Sequence, residues 1–228
     1  RLYNIAIGYD AGNDVTTGYR NILIGGYAGD KSTTGISNTV VGYTAFGAAV
    51  AGMDGNIAIG ADAMGGANND AAHNNVAVGY GALKLASGPS MVAMGYLAGY
   101  DATAATGLTA IGYRAGKEIT DGLYNTIMGH DALYLNLIGD GNTAIGYQAS
   151  QEFVADTDGH GYNTSVGVHA GKFNQTGADN TFIGANAGQG ITGTKLTGDD
   201  NTCVGKDAGL LLQGDAAFNT LIGSVSGD

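Results

Sequence analysis

The 228-residue chain sets 20 Asp and Glu against 9 Lys and Arg, a formal net charge of −11. No basic patch can neutralise phosphates, which argues against nucleic acid as a partner. Gly takes 42 positions without a Gly-X-Y period, and 44 % of the chain is hydrophobic, so it is neither collagenous nor too polar for a core. The single cysteine, Cys203, excludes an intrachain disulfide framework and a Cys-rich zinc site, and the short apolar runs predict no membrane insertion.

The first element in the chain is the five-residue run Asn4–Gly8, and close variants return through Asn219–Gly223, thirteen copies in all. The copies end on Gly8, Gly25, Gly42, Gly60, Gly79, Gly95, Gly112, Gly129, Gly146, Gly167, Gly184, Gly205 and Gly223. A mean period of about 18 residues is the signature of stacked supersecondary units. The chain opens inside one copy and closes in another, which reads as one repeat domain over residues 1–228, cut from a longer fibre chain.

Each copy begins with Asn, as in Asn4, Asn21, Asn142 and Asn180; Met91 and Leu108 are the two exceptions. Stacked in register, these amides are expected to hydrogen-bond from coil to coil. The next residue is β-branched in every copy. Two positions on stands Ile, Val or Met, as in Ile7, Ile24, Ile145 and Ile183. Residues two apart on a strand share a face, and stiff β-branched side chains favour extended backbone. A short strand of about five residues is predicted in each copy, with both of these columns facing inward. The residue between them is mostly small (Ala6, Ala58, Ala77, Ala144) and is predicted to point outward. It would lie against another surface or form a solvated face tolerant of alanine.

The closing glycine, represented by Gly8, Gly25, Gly146 and Gly184, makes the corner after the strand. Tyr follows it six times, at Tyr9, Tyr43, Tyr80, Tyr96, Tyr113 and Tyr147. These rings read as packing or an intersubunit contact ahead of a carbohydrate platform, and they are the candidate attachment surface. Three residues after the glycine, Ala recurs from Ala11 to Ala208 and points into a narrow interior. The rest of each period is variable and turn-rich, with room for a weaker second strand. Its longest stretches lie at 148–162 and 186–200, and insertions gathered on one side of a solenoid are candidate binding loops. No helical periodicity with caps appears anywhere.

The expected architecture is all-β: a parallel β-roll or β-solenoid of about thirteen coils. At an interstrand rise of ~4.8 Å it would extend roughly 58 Å. A coil this thin has a weak core, so association with copies of itself is expected to supply the missing burial.

Asn142-Thr143-Ala144-Ile145-Gly146-Tyr147-Gln148-Ala149 and Asn56-Ile57-Ala58-Ile59-Gly60-Ala61-Asp62-Ala63 resemble the head repeats of trimeric autotransporter adhesins, whose pattern runs Asn-Ser-Val-Ala-Ile-Gly-x-x-Ser/Ala. Similar arrays occur in bacteriophage tail-fibre and tail-spike-like proteins. The likeness covers nearly the whole chain. Asn sits one residue nearer the glycine than in the adhesin pattern and the period is longer, which favours the phage-fibre version. The resemblance implies a left-handed, trimeric β-roll used for reach and attachment. It places the protein outside the cell, on a virion or bacterial surface, with itself and a cell-surface receptor or glycan as partners.

Chemistry is weighed against this scaffold. Ile7-Gly8-Tyr9-Asp10-Ala11-Gly12 fits the hexapeptide pattern of left-handed β-helix acyltransferases, but the other two faces of the coil do not. The four histidines, His73, His130, His160 and His169, have no recurring carboxylate partner. Gly198-Asp199-Asp200-Asn201 and Asp156-Thr157-Asp158-Gly159 carry oxygen ligands without a calcium-loop spacing, and turn chemistry explains them more simply. Gly177–Gly190 lacks the Lys-Ser/Thr ending of a phosphate loop. Ice binding by a Thr array is opposed by the expected inward direction of that column. No cofactor and no catalytic residue is expected: the reading is a non-enzymatic rod, with an acyltransferase-like enzyme and an ice-binding solenoid as the alternatives.

Overall fold

A computed structural model describes residues 3–48, 52–67, 70–155 and 160–227. Among them are thirteen strands: β1 (Ile5–Ile7), β2 (Ile22–Ile24), β3 (Thr39–Val41), β4 (Ile57–Ile59), β5 (Val76–Val78), β6 (Val92–Met94), β7 (Thr109–Ile111), β8 (Thr126–Met128), β9 (Thr143–Ile145), β10 (Thr164–Val166), β11 (Thr181–Ile183), β12 (Thr202–Val204) and β13 (Thr220–Ile222). The chain divides into two compact units, Arg1–Ile111 with β1–β7 and Gly112–Asp228 with β8–β13. Within each unit, strands pair in parallel with their sequence neighbours in one constant register. Ile5 meets Ile22 and Ile22 meets Thr39 in the first; Thr126 meets Thr143 and Thr164 meets Thr181 in the second. Each unit is therefore a parallel β-solenoid with one strand per coil, and no helix occurs among the described residues.

The strands are three residues long, shorter than the expected five, because both flanks leave extended backbone. The residue before each Asn takes positive φ, as in Arg20 (60°) and Tyr124 (56°), and the corner glycines have φ from 122° to 145°. Coil-to-coil bonding continues past the strand ends: the Ile5 amide donates to the Asn21 carbonyl and the Gly25 amide to the Ile7 carbonyl, both at 2.8 Å. In the variable half, isolated parallel bridges such as Asn174 with Leu196 and Leu196 with Gly214 stand where a second strand was expected. Corner-to-corner spacing ranges from 16 to 21 residues, all of it taken up in this half, and no continuous second strand forms among the described residues.

The direction of the strand side chains is the reverse of the sequence-based expectation. The middle residues are buried in both units, as Leu23, Val40, Ala77, Ala144, Phe182 and Cys203 show. The flanking columns face outward: Ile7 and Ile183 are exposed, and Ile24 and Ile145 are half-buried. Alternation fixes that these faces differ, but the interior diameter decides which is inside. The coil closes on the corner alanines, with Ala28, Ala63, Ala149 and Ala187 fully buried, and leaves space for one strand side chain per coil.

That interior is filled by volume exchange. Leu23 and Phe182 fit against glycines four positions after a corner, on their own coil and on the one before. A Cβ on Gly29 would approach Leu23 Cδ2 to 2.8 Å, and one on Gly171 would approach Phe182 Cδ2 to 2.7 Å. Where the middle residue is Ala58 or Ala77 the later position carries Met64 or Leu83, whereas Val40 stands with Phe46 and Ile127 with Leu133. Close packing is thus reached by fitting side chains within and between neighbouring coils, not by one fixed exchange in every coil.

Two further columns lock the stack. Asn Oδ1 accepts the backbone amide of the Asn one coil on: Asn4 from Asn21 and Asn21 from Asn38, both at 2.9 Å, then Asn38 from Asn56 and Asn56 from Asn75, also at 2.9 Å. In the second unit, Asn125 accepts from Asn142 at 2.8 Å and Asn163 from Asn180 at 3.0 Å. The ladder joins side chain to backbone as well as amide to amide. Met91 and Leu108 interrupt it and are buried as apolar residues instead. The corner glycine has its own cause: a Cβ at Gly8 or Gly184 would lie 2.5 Å from the carbonyl oxygen of the next corner glycine. Only glycine tolerates both that approach and its φ.

Candidate interaction surface

With the middle residue turned inward, each strand presents its first and third side chains on the outer face. In the first unit the first-position column runs Ile5, Ile22, Thr39, Ile57, Val76, Val92, Thr109. The third-position column runs Ile7, Ile24, Val41, Ile59, Val78, Met94, Ile111. Ile22 is 36 % exposed and Met94 43 %, well above core values. Six of the fourteen are exposed and eight half-buried; together they offer on the order of 800 Å², the per-partner size of a standard interface and larger than an ordinary surface apolar patch. In the second unit the first-position column is Thr throughout, from Thr126 to Thr220, beside Met128, Ile145, Val166, Ile183, Val204 and Ile222.

The six tyrosines of the candidate attachment surface are all exposed, and rings of neighbouring coils meet along it. Tyr9 meets Tyr27 edge to face at 5.4 Å, and Tyr27 meets Tyr43 at 5.9 Å. Tyr80 stacks on Tyr96 at 5.5 Å. In the second unit Tyr113 stacks on His130 at 4.6 Å, while His130 meets Tyr147 at 5.5 Å and Tyr147 meets His169 at 5.4 Å with tilted rings. Tyr27, His130 and His169 were absent from the sequence-derived surface. His130 occupies the tyrosine column itself, directly after Gly129, and was legible there; Tyr27 and His169 stand one position later.

Electrostatics on this flank is local. The Arg114 guanidinium forks onto Asp131 at 2.8 and 2.9 Å and lies 5.0 Å from the rings of Tyr113 and Tyr134. His130 Nδ1 is 3.1 Å from the same carboxylate. Partial burial, with Lys172 adding to it, lowers the pKa of His169 and favours neutral imidazole in the stack. His73 lies apart, its Nδ1 accepting the Asp54 amide at 3.1 Å. The histidines are thus distributed over separate coils rather than gathered at one cleft.

A recurring acid unnoticed in the sequence sits six residues before the corner glycine. Asp54, Asp140 and Asp199 each accept a backbone amide from the preceding coil, from Ile36 and Leu123 at 2.7 Å and from Ala178 at 2.8 Å. This commits Asp199 of the Gly198–Asn201 cluster to the turn, and Asn201 belongs to the Asn ladder. The Asp156–Gly159 cluster lies outside the described residues. No group of three or more His, Cys, Asp or Glu side chains gathers to hold a metal ion among the described residues. Of the two long loops, 186–200 folds over the core through buried Leu196 and a bridge between Ile191 and Thr194. Part of 148–162 lies outside the described residues.

The class defined by these features is a parallel β-solenoid repeat protein with an outward-facing apolar strand surface and an aromatic flank. No family model, curated protein or solved structure matches the chain. No helix among the described residues is long and apolar enough to cross a membrane.

Proposed function

We propose that the chain is a non-enzymatic rod segment of an extracellular fibre, a phage tail fibre or a cell-surface adhesin. In this reading it associates with two further copies through the outer strand face and serves for reach and attachment. The observation carrying the proposal is the pair of half-exposed Ile, Val, Met and Thr columns on consecutive coils of each unit. A monomeric solenoid in water would leave this surface unburied, whereas parallel copies would lay like columns against one another. The trimer, the left-handed coil and the attachment role draw additionally on the likeness to adhesin heads.

Sedimentation equilibrium tests the association. A species of three times the 22.8 kDa chain mass is expected at micromolar concentration. The double variant Ile57→Asp, Ile59→Asp, which places charges on the outer face, should shift it toward monomer. A wild-type chain that stays monomeric would refute the fibre reading.

Ice binding gains one observation in its favour. The unbroken Thr column of β8–β13 lies on the outer face, so the argument that it is internal does not hold. Thermal hysteresis of the purified chain, lost on replacing Thr143 and Thr164 by Val, would favour this reading over self-association. The exposed Ile and Met in the neighbouring column support self-association as the better account.

A further inference from the structure

We infer that a notch on the corners of the third and fourth coils is a saccharide subsite that holds one pyranose ring against two tyrosines and a carboxylate. The inference rests on the attachment reading and names the class of ligand one part of that surface would take.

The notch exists because side chains are missing from two ladders at once. Five residues after the corner glycine, successive coils carry Asp30, Gly47, Gly65 and Lys84, so two adjacent coils present bare backbone. In the column directly after the corner glycine, Ala61 stands where Tyr43 and Tyr80 stand on the flanking coils. The result is an open hollow of about 430 Å³ walled by Tyr27, Tyr43, Asp30 and Thr44 over the Gly47 and Gly65 backbone. That volume accommodates one sugar ring with bound water and lies toward the small end of ligand sites.

The chemistry of the walls is two-sided, as a pyranose is. Tyr27 and Tyr43 meet at 86° with centroids 5.9 Å apart, forming a corner of ring surface. Tyr43 remains 61 % exposed because the next coil has no ring to cover it. A pyranose offers a face of C–H bonds to such a ring and hydroxyls at its edge. Asp30 supplies the acceptor. Its side chain is only 15 % exposed, yet its ion-pair partner among the described residues, Lys31 Nζ, is 3.8 Å away and is held by Asp14 at 3.0 Å. A largely covered carboxylate whose cation is 3.8 Å away and shared with Asp14 keeps acceptor capacity for a ligand hydroxyl. The Thr44 hydroxyl has one proton, directed to the Tyr43 carbonyl at 2.8 Å or to Asp62 Oδ1 at 2.5 Å, which leaves its oxygen as a second acceptor.

Saturation-transfer NMR on the full chain, with methyl β-D-glucopyranoside, methyl β-D-galactopyranoside and methyl α-D-mannopyranoside as probes, tests the site. At least one glycoside should bind, with transfer strongest at its C–H protons. Tyr43→Ala and Asp30→Asn should each weaken binding about tenfold. Tyr43→Phe, which keeps the ring, should bind like the wild type, as should Tyr80→Ala, which lies off the notch. Absence of binding by all three glycosides, binding unchanged in Tyr43→Ala and Asp30→Asn, or choline occupying the site in their place would each overturn the inference. Sedimentation of the same samples keeps the readings apart. A trimer that binds no glycoside removes the subsite alone, and a monomer that binds one removes the fibre alone.

Discussion

Truncating two adjacent residues of β11 tests which side of the strand is the core. Phe182 is fully buried, flanked by Gly171 and Gly188 and packed with Leu196, Cys203 and Ala208, whereas Ile183 is 40 % exposed. Phe182→Ala should cost about 3–5 kcal/mol, since the surrounding coil backbone is hydrogen-bonded and collapses poorly into the cavity. Ile183→Ala removes roughly three carbons at about 0.8 kcal/mol each; scaled by a buried fraction of about 0.6, the loss is about 1.4 kcal/mol. Equilibrium urea denaturation should therefore separate the variants by about 2 kcal/mol or more, with Phe182→Ala the weaker. Measuring over a hundredfold range of protein concentration separates intrinsic stability from association, because only association makes the midpoint depend on concentration. If Ile183→Ala proved the more damaging at the lowest concentrations, the assignment of inside and outside would be wrong.

Asn56→Ala should destabilise the first unit by about 2–5 kcal/mol, because the Asn75 amide and the Ala72 carbonyl, bonded to Asn56 at 2.9 Å each, lose their partner inside the coil. Thermal melting checks this, and a change under 1 kcal/mol would mean that the ladder is incidental. Burial raises the Cys203 thiol to about 11, so at pH 8 iodoacetamide should alkylate the folded chain far more slowly than the urea-unfolded one; equal rates would contradict its place in the core. The Thr44 hydroxyl, and Lys84 against the opposing effect of partial burial, hold the Asp62 carboxyl below the usual range. The stability this provides is present above the unfolded pKa near 4 and is lost as pH falls through the lower folded value. The advantage of wild type over Asp62→Asn should accordingly vanish on acidification below about pH 4 and persist at neutral pH.

Much of this protein could be read from its sequence. The recurrence from Asn4–Gly8 to Asn219–Gly223 fixed the strand positions, the parallel stacking within each unit and the amide column, because each depends on local constraints repeated at a constant place. The β-branched pair favours extension, and Asn Oδ1 reaches the next coil's amide. The corner glycine meets a carbonyl that no Cβ could approach. The tyrosine column is visible in the same way, and His130 takes a tyrosine's place in it.

Tertiary structure alone decided which face was the inside. Alternation along Thr181-Phe182-Ile183 separates two faces without saying which meets the core, and the larger, more uniform Ile and Val column looked like the interior. The coil is too narrow for two bulky columns: the corner alanines close it around one residue per strand, and Phe182 fits only because Gly171 and Gly188 give up their side-chain volume. Such exchange takes place between positions several residues and one coil apart, so it became legible only when the coils were stacked. The same stacking turned the apolar columns outward and placed Gly47 above Gly65, creating both the candidate self-association face and the notch beside Tyr43.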